Sequence, residues 1–268
     1  MNMALLRNMA KVHGKTLASY ISATVLYELL IIWVYPSIAN SPQLNDLLTS
    51  MPAGLMKALG VEGGIQKYND YLSAQFYGTL FVVILMVYCI MTSVQAIARL
   101  VDRGSMAYLL STPVSRSKVA VTQAIVLVFG LFAFSICTTI GGLLGAQFLI
   151  DAPAYDKGLF VQVNLIVFLL FTFIASYCFL ISCLCDDEKR ALSWSSSLTV
   201  LFYSLDLVGK MSSNLTWMRY LSPFYLFRPQ DIVKGTFPVG WVSLGLGIGA
   251  LLIFWLSVSV FRRRDLPL

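Results

Sequence analysis

Six stretches of the chain run through about twenty apolar residues each, and polar positions gather between them. They are Leu17–Pro36, Tyr77–Ala98, Val119–Ile150, Phe160–Cys185, Ala191–Gly209 and Val239–Phe261. A helix needs about 20 such residues to cross the hydrocarbon core of a bilayer, so the pattern predicts an all-α membrane protein with six transmembrane helices. The third run is long enough to tilt, kink or project beyond the membrane. Ser37-Ile38-Ala39 after the first run looks like a signal-peptide cleavage site, but the run is longer than a 7–15-residue signal core and reads as a retained span.

The segments flanking the runs carry their own periodicity. Arg7, Lys11 and Lys15 recur every four residues, with Leu5, Met9 and Val12 on the other face. That spacing predicts an N-terminal amphipathic helix lying on the cytoplasmic membrane surface among lipid phosphates. The stretch KMSSNLTWMRYLSPFYLFRPQDIVKGTFP, residues 210–238, is too apolar for a free loop and is broken by Pro223, Pro229 and Pro238. It reads as short re-entrant helices dipping into the outer side before the last span, or as a belt of interfacial aromatics.

Composition agrees with lipid as the solvent: 58% of the 268 residues are hydrophobic and 12% charged, against about a quarter charged in a typical soluble domain. The net charge of +6 therefore says more about orientation than about nucleic acid, and no nucleic-acid partner is expected. Twelve of the nineteen Lys and Arg residues fall on the side that holds both termini, the turn between runs two and three, and the turn between runs four and five. Basic residues accumulate in cytoplasmic loops, so both ends are expected in the cytoplasm and the protein in the cell membrane.

Catalytic chemistry is hard to find. The single histidine, His13, lies outside the spans, and the chain contains no His-Glu zinc motif, no Gly-x-Ser-x-Gly elbow and no phosphate-binding loop. The five cysteines sit in or beside apolar runs without metal-ligand spacing. No cofactor, metal site or enzymatic activity is expected in this chain. Two carboxylates fall inside spans: Glu28 past the middle of the first, and Asp206 near the outer end of the fifth. Intramembrane carboxylates generally have a function, so both are candidates for a transport pathway. Both read as near enough to the outer interface to meet water or to pair with Lys210 or Arg219. Gly141 and Gly145, like Gly245 and Gly249, have the spacing that lets helices approach closely.

The most particular polar stretch is IARLVDRGSMAYLLSTPVSRSKVAVTQ, residues 97–123. Ile97, Leu100, Val101, Gly104 and Tyr108 share one helical face and Arg99, Asp102 and Arg103 the other, so the second span is expected to continue as an amphipathic helix. Pro113 ends it, and Ser115 is placed to cap the next helix, with Arg116 and Lys118 in its first turn. The result is a short, charged elbow at the cytoplasmic face.

This elbow resembles the loop between spans two and three of ABC-2-type exporter permeases, which show an acidic residue, Gly-Ser or Gly-Thr, a Leu-Leu pair and then S-x-P-V-S-R. Asp102 stands where Glu is commoner, and Gln123 where a Lys is frequent. YLSPFYLFRPQDIVKG, DDEKRAL and FRRRDLPL are similar to other parts of the family pattern, so the resemblance covers essentially the whole chain. It implies a permease subunit that pairs with a second permease chain and docks cytoplasmic ATPases, which would hold the ATP and Mg. It also implies that Asp102, Arg103, Gly104, Ser111, Pro113 and Arg116 form the ATPase-coupling contact. Asp186, Asp187 and Glu188 either add a second contact or simply cap the fifth helix. The apolar spans favour a hydrophobic or amphipathic cargo such as a peptide, lipid or drug. Two other classes stay open: an ion-coupled carrier using Glu28, and a membrane scaffold or sensor.

Overall fold

Helices begin where the sequence supplies a cap. Ser115 Oγ accepts from the Lys118 N–H at 3.4 Å, Asp156 Oδ1 from the Gly158 N–H at 2.7 Å, and Asp187 Oδ1 from the Arg190 N–H at 2.9 Å. Each side chain satisfies a donor that the first turn leaves without a carbonyl. The computed structural model describes residues 3–39, 41, 50–59, 67–111, 114–150 and 156–264. The order of its helices is α1 (Met3–Ala39), α2 (Ala53–Leu59), α3 (Tyr68–Gln75), a π turn (Phe76–Leu80), α4 (Phe81–Ala96), α5 (Ala98–Asp102), α6 (Ser105–Leu110), α7 (Arg116–Leu149), α8 (Lys157–Leu184) and α9 (Glu188–Met211). Two 3-10 segments (Ser213–Leu221 and Pro223–Leu226), α10 (Pro229–Val233) and α11 (Val239–Arg263) complete it.

Among the described residues, six helical stretches are long and apolar enough to cross a membrane: Gly14–Ala39, Tyr68–Ala96, Arg116–Leu149, Lys157–Leu184, Glu188–Met211 and Val239–Arg263. The third, at 34 residues, is about 51 Å long at 1.5 Å per residue, so part of it must stand clear of a hydrocarbon core of about 30 Å. The basic N-terminal segment belongs to the same helix as the first span. No break separates Met3 from Ala39, and Met9 is buried, its sulfur accepting from Gln123 Nε2 at 3.3 Å.

α8 is the central helix, packed by α4, α7, α9 and α11. Its contact with α4 is stitched by side-chain donors to backbone carbonyls: Cys89 to Phe171 at 3.5 Å, Ser93 to Ala175 at 3.2 Å, and Ser182 to Val94 at 3.2 Å. In a bilayer such bonds between helices average about 0.6 kcal/mol each, so shape complementarity has to supply most of the adhesion. Phe76, Tyr77, Phe81 and Phe134 supply it, all buried, with Phe76 and Phe81 stacked at 4.4 Å. Gly141 and Gly145 of α7 let α1 approach: a Cβ on them would come within 3.1 Å of Val25 and 2.8 Å of Leu29. Gly249 meets Phe173, whereas Gly245 has open space beside it.

Residues 213–233 form short helical pieces whose buried anchors, Phe224, Phe227 and Ile232, face the bundle. The Phe224 ring lies 6.5 Å from that of Phe171, midway along α8.

Candidate functional site

The face that carries both chain ends also holds the elbow after the second span. The elbow is not the single helix that its periodicity predicts. Ile97 leaves helical geometry at φ −129°, and the N–H of Ala98 is accepted by Ser182 Oγ at 2.9 Å. Gly104 then takes the left-handed conformation at φ +68°, which a residue with a Cβ adopts only at a cost of about 1–2 kcal/mol. Two short helices result, α5 and α6, turned relative to one another. Ile97, Val101 and Met106 are buried beneath them with Val119, Ala120 and Phe261. Tyr108, predicted to share their face, is instead 81% exposed. Asp102, Arg103, Gly104 and Ser111 are exposed too, and Ser111 Oγ donates locally to the Tyr108 carbonyl at 2.8 Å. Pro113 lies outside the described residues.

The turn between α8 and α9 comes up against this elbow. Glu188 stands 3.9 Å from Arg99 Nε and 3.8 Å from Arg103 Nε, and its own N–H donates to Asp102 Oδ2 at 3.4 Å. Asp187 does the capping, and the Arg190 N–H it accepts holds its carboxyl below the usual carboxylate range. Asp186 pairs closely with Arg264. Arg264 also donates to the carbonyls of Cys183 (2.6 Å) and Cys185 (3.2 Å), and its own carbonyl accepts from Arg116 Nη1 at 2.6 Å.

Three chain segments distant in sequence thus meet at one junction. Of the residues read from the sequence, Asp102, Arg103, Arg116, Asp186, Asp187 and Glu188 are brought together there. The three acids split the roles left open for them: Asp187 caps, Glu188 bridges to the elbow, and Asp186 binds the chain end. Sequence reading missed Arg99, placed on the charged face with Asp102 and Arg103 but not named as a contact, and Arg264, counted only as one of three positive charges. The ion pairs to Glu188 are long and solvated, worth at most about 1 kcal/mol each. Arg264, with a side chain only 15% exposed, is the firmer tie. Gln123 belongs elsewhere: it is buried against α1. In α1, Arg7 and Lys11 lie about two turns and one turn before Lys15, which is exposed.

The two carboxylates within spans have opposite surroundings. Asp206 is buried, with Lys210 Nζ at 2.6 Å and Arg219 Nε at 3.1 Å. Glu28 does not reach those cations. It is wholly buried, and neither carboxyl oxygen has a hydrogen-bond partner among the described residues. It points at the glycines of α7: a Cβ on Gly142 would sit 2.5 Å from Oε1, and one on Gly141 3.2 Å from Oε2. The Phe160 ring closes the same spot. Beyond it Tyr77 accepts from Asn164 Nδ2 at 2.7 Å. The position of Glu28 along a span was readable; its burial at the α1–α7 contact was not.

Among the described residues no three His, Cys, Asp or Glu side chains gather as a metal site. A family model described as ABC-2 family transporter protein matches residues 16–266. No curated protein matches the chain.

Proposed function

The chain belongs to the ABC-2 family of transporter proteins, and from that premise we propose that it is the permease of an exporter whose ATPase docks at the junction of α5, α6 and the α8–α9 turn. As a family member it is a permease subunit of an ABC transporter, a class that works with a cytoplasmic ATPase subunit. The junction carries the finer reading. A partner gripping Arg103, Gly104 and Tyr108 holds a turn whose underside is fastened to α7, α8 and α11 by Ile97, Val101 and Met106. Movement of that turn reaches α9 through Glu188 and the end of α11 through Arg264. The exposed ion pairs break and re-form at low cost, which suits a contact that changes partner in each cycle.

Cargo in this reading is a hydrophobic or amphipathic molecule moving outward. The pathway runs beside a second permease chain. α9 supports that arrangement, because Ser193, Ser197 and Ser204 are exposed along it at helical spacing, and hydroxyls facing acyl chains alone are poorly solvated. The segment at 213–228 closes the outer end, a role that the Phe224–Phe171 contact favours. Glu28 supports a second reading, ion-coupled carriage, in which flux needs no ATP and is lost in Glu28→Gln.

The deciding experiment is purification of the tagged full chain from its native host in mild detergent. The docking reading expects an ATP-hydrolysing subunit to come with it, and Arg103→Glu to weaken that association about tenfold, or 1.4 kcal/mol. Purification without any ATPase, with ion-driven flux in vesicles, would overturn it in favour of the second reading.

A further inference from the structure

On the face opposite the junction, a cavity of about 230 Å³ opens between the start of the second span, the outer end of α9 and the 219–231 segment. Among its described lining residues are four cations, Lys57, Lys210, Arg219 and Arg228, and only two carboxylates, Asp206 and Asp231. We propose that this cavity is a binding site for the oxyanion headgroup of an amphipath, a phosphate or carboxylate carried on an apolar tail.

The donors are built in. Gly209 lets Arg219 lie flat across α9 to reach Asp206, since a Cβ there would fall 2.4 Å from Arg219 Cγ. Both arginines are set over one ring: the guanidinium carbon of Arg228 lies 3.8 Å, and that of Arg219 5.3 Å, from the centre of Tyr225. Arg228 gives Nε to the Tyr225 carbonyl and faces Asp231 at 3.6 Å, which leaves N–H groups of a five-donor fork for a ligand. Gln230 adds a buried amide nitrogen that has no acceptor among the described residues. A buried donor without a partner costs about 1–3 kcal/mol, and an oxyanion would satisfy it. Arg228 and Gln230 thus offer an anionic group a charged and a neutral donor.

The size and floor of the cavity narrow the ligand. It is smaller than the roughly 300–1,000 Å³ of pockets that enclose a drug-sized molecule, so it takes a headgroup rather than a whole amphipath. Part of its wall is aromatic and aliphatic, at Tyr77, Val82, Tyr203 and Phe224, which suits the first carbons of a tail. The π turn at Phe76–Leu80 brings Tyr77 and Gly78 to this wall, and π turns inside helices are frequent at functional sites. The inference concerns binding alone, and it holds whether or not an ATPase drives the chain.

The test is equilibrium binding to the purified full chain in a neutral sugar detergent, with dodecyl phosphate, inorganic phosphate and dodecyltrimethylammonium as probes. Dodecyl phosphate should bind, weaken with added salt and lose about tenfold in affinity in Gln230→Glu, which sets a third carboxylate in the cavity. If that variant does not fold, Arg228→Gln carries the same test. Equal binding of inorganic phosphate upholds the oxyanion site and assigns it to a soluble anion rather than a lipid-like headgroup. Binding of the ammonium probe as tight as that of dodecyl phosphate, or no response to either substitution, overturns the proposal.

Discussion

Asp206 and Glu28 are both buried carboxylates in membrane-spanning helices, yet one is held by two cations and the other meets none among the described residues. The difference follows from where each lies relative to water. At the outer end of α9, Lys210 and Arg219 reach Asp206 while their own side chains stay partly exposed, so the charges neutralise one another without full desolvation. At the α1–α7 contact, Glu28 is sealed by glycines and the Phe160 ring. A bare carboxylate there would lack any compensation for lost hydration. Asp206 is therefore held in an ion-paired triad, and Glu28 is a buried acid with no polar partner among the described residues.

The sharpest way to break this contrast is to remove each acid in turn. Asp206→Ala leaves two cations facing each other and should destabilise the chain by about 3 kcal/mol, the low end for a broken buried pair because Lys210 and Arg219 keep some solvent. Denaturation in mixed micelles measures it. A loss below 1 kcal/mol would mean that water already screens the triad. Gly142→Ala comes next, at about 2 kcal/mol, since its methyl meets Glu28 Oε1 and the Phe160 ring at 2.4–2.5 Å. The same substitution in a Glu28→Ala background should cost less, because one of the two clashes is gone. Additive losses would show that the helices simply move apart.

Glu28→Met should act in the opposite direction to Asp206→Ala. An apolar side chain of similar volume removes an unsatisfied buried polar group, which costs about 1–3 kcal/mol. The variant should gain about 1 kcal/mol of stability and lose transport if the acid serves the pathway. A destabilised Glu28→Met would reveal a partner for the carboxyl and would falsify the contrast.

The same distinction between position and surroundings marks what could be read from the sequence. Twenty-residue apolar runs locate six spans because the bilayer sets their length, and Ser115 and Asp187 announce helix starts because capping is local. The junction is another matter. Asp102 and Glu188 are 86 residues apart, and nothing in either segment names the other as its neighbour. Arg264 looked like one more positive charge at a membrane edge until its carbonyl contacts appeared. Gly104 was placed inside a helical face by counting residues, although a glycine beside two charged residues is also where a helix can turn. Glu28 was misjudged because depth along a span says nothing about which helix packs against it. The π turn at Phe76–Leu80 leaves no periodic signature at all.

A third carboxylate extends the comparison to a partly exposed site and carries the smallest expected effect. Asp187 is outside the spans and accepts the Arg190 N–H at the start of α9, which lowers its pKa. A carboxyl whose folded pKa lies below its unfolded value stabilises the folded helix end above the usual carboxylate range. That contribution fades as pH falls through the folded pKa. Asn caps helices about as well as Asp but carries no charge to meet the helix dipole. Amide exchange in the first turn of α9 should therefore be slower in the native chain than in Asp187→Asn at neutral pH. The difference should shrink as pH falls below the usual carboxylate range and the acid protonates. If it persisted undiminished at low pH, side-chain geometry rather than charge would account for the cap, and solvated and buried carboxylates could no longer be distinguished by what supports their ionisation.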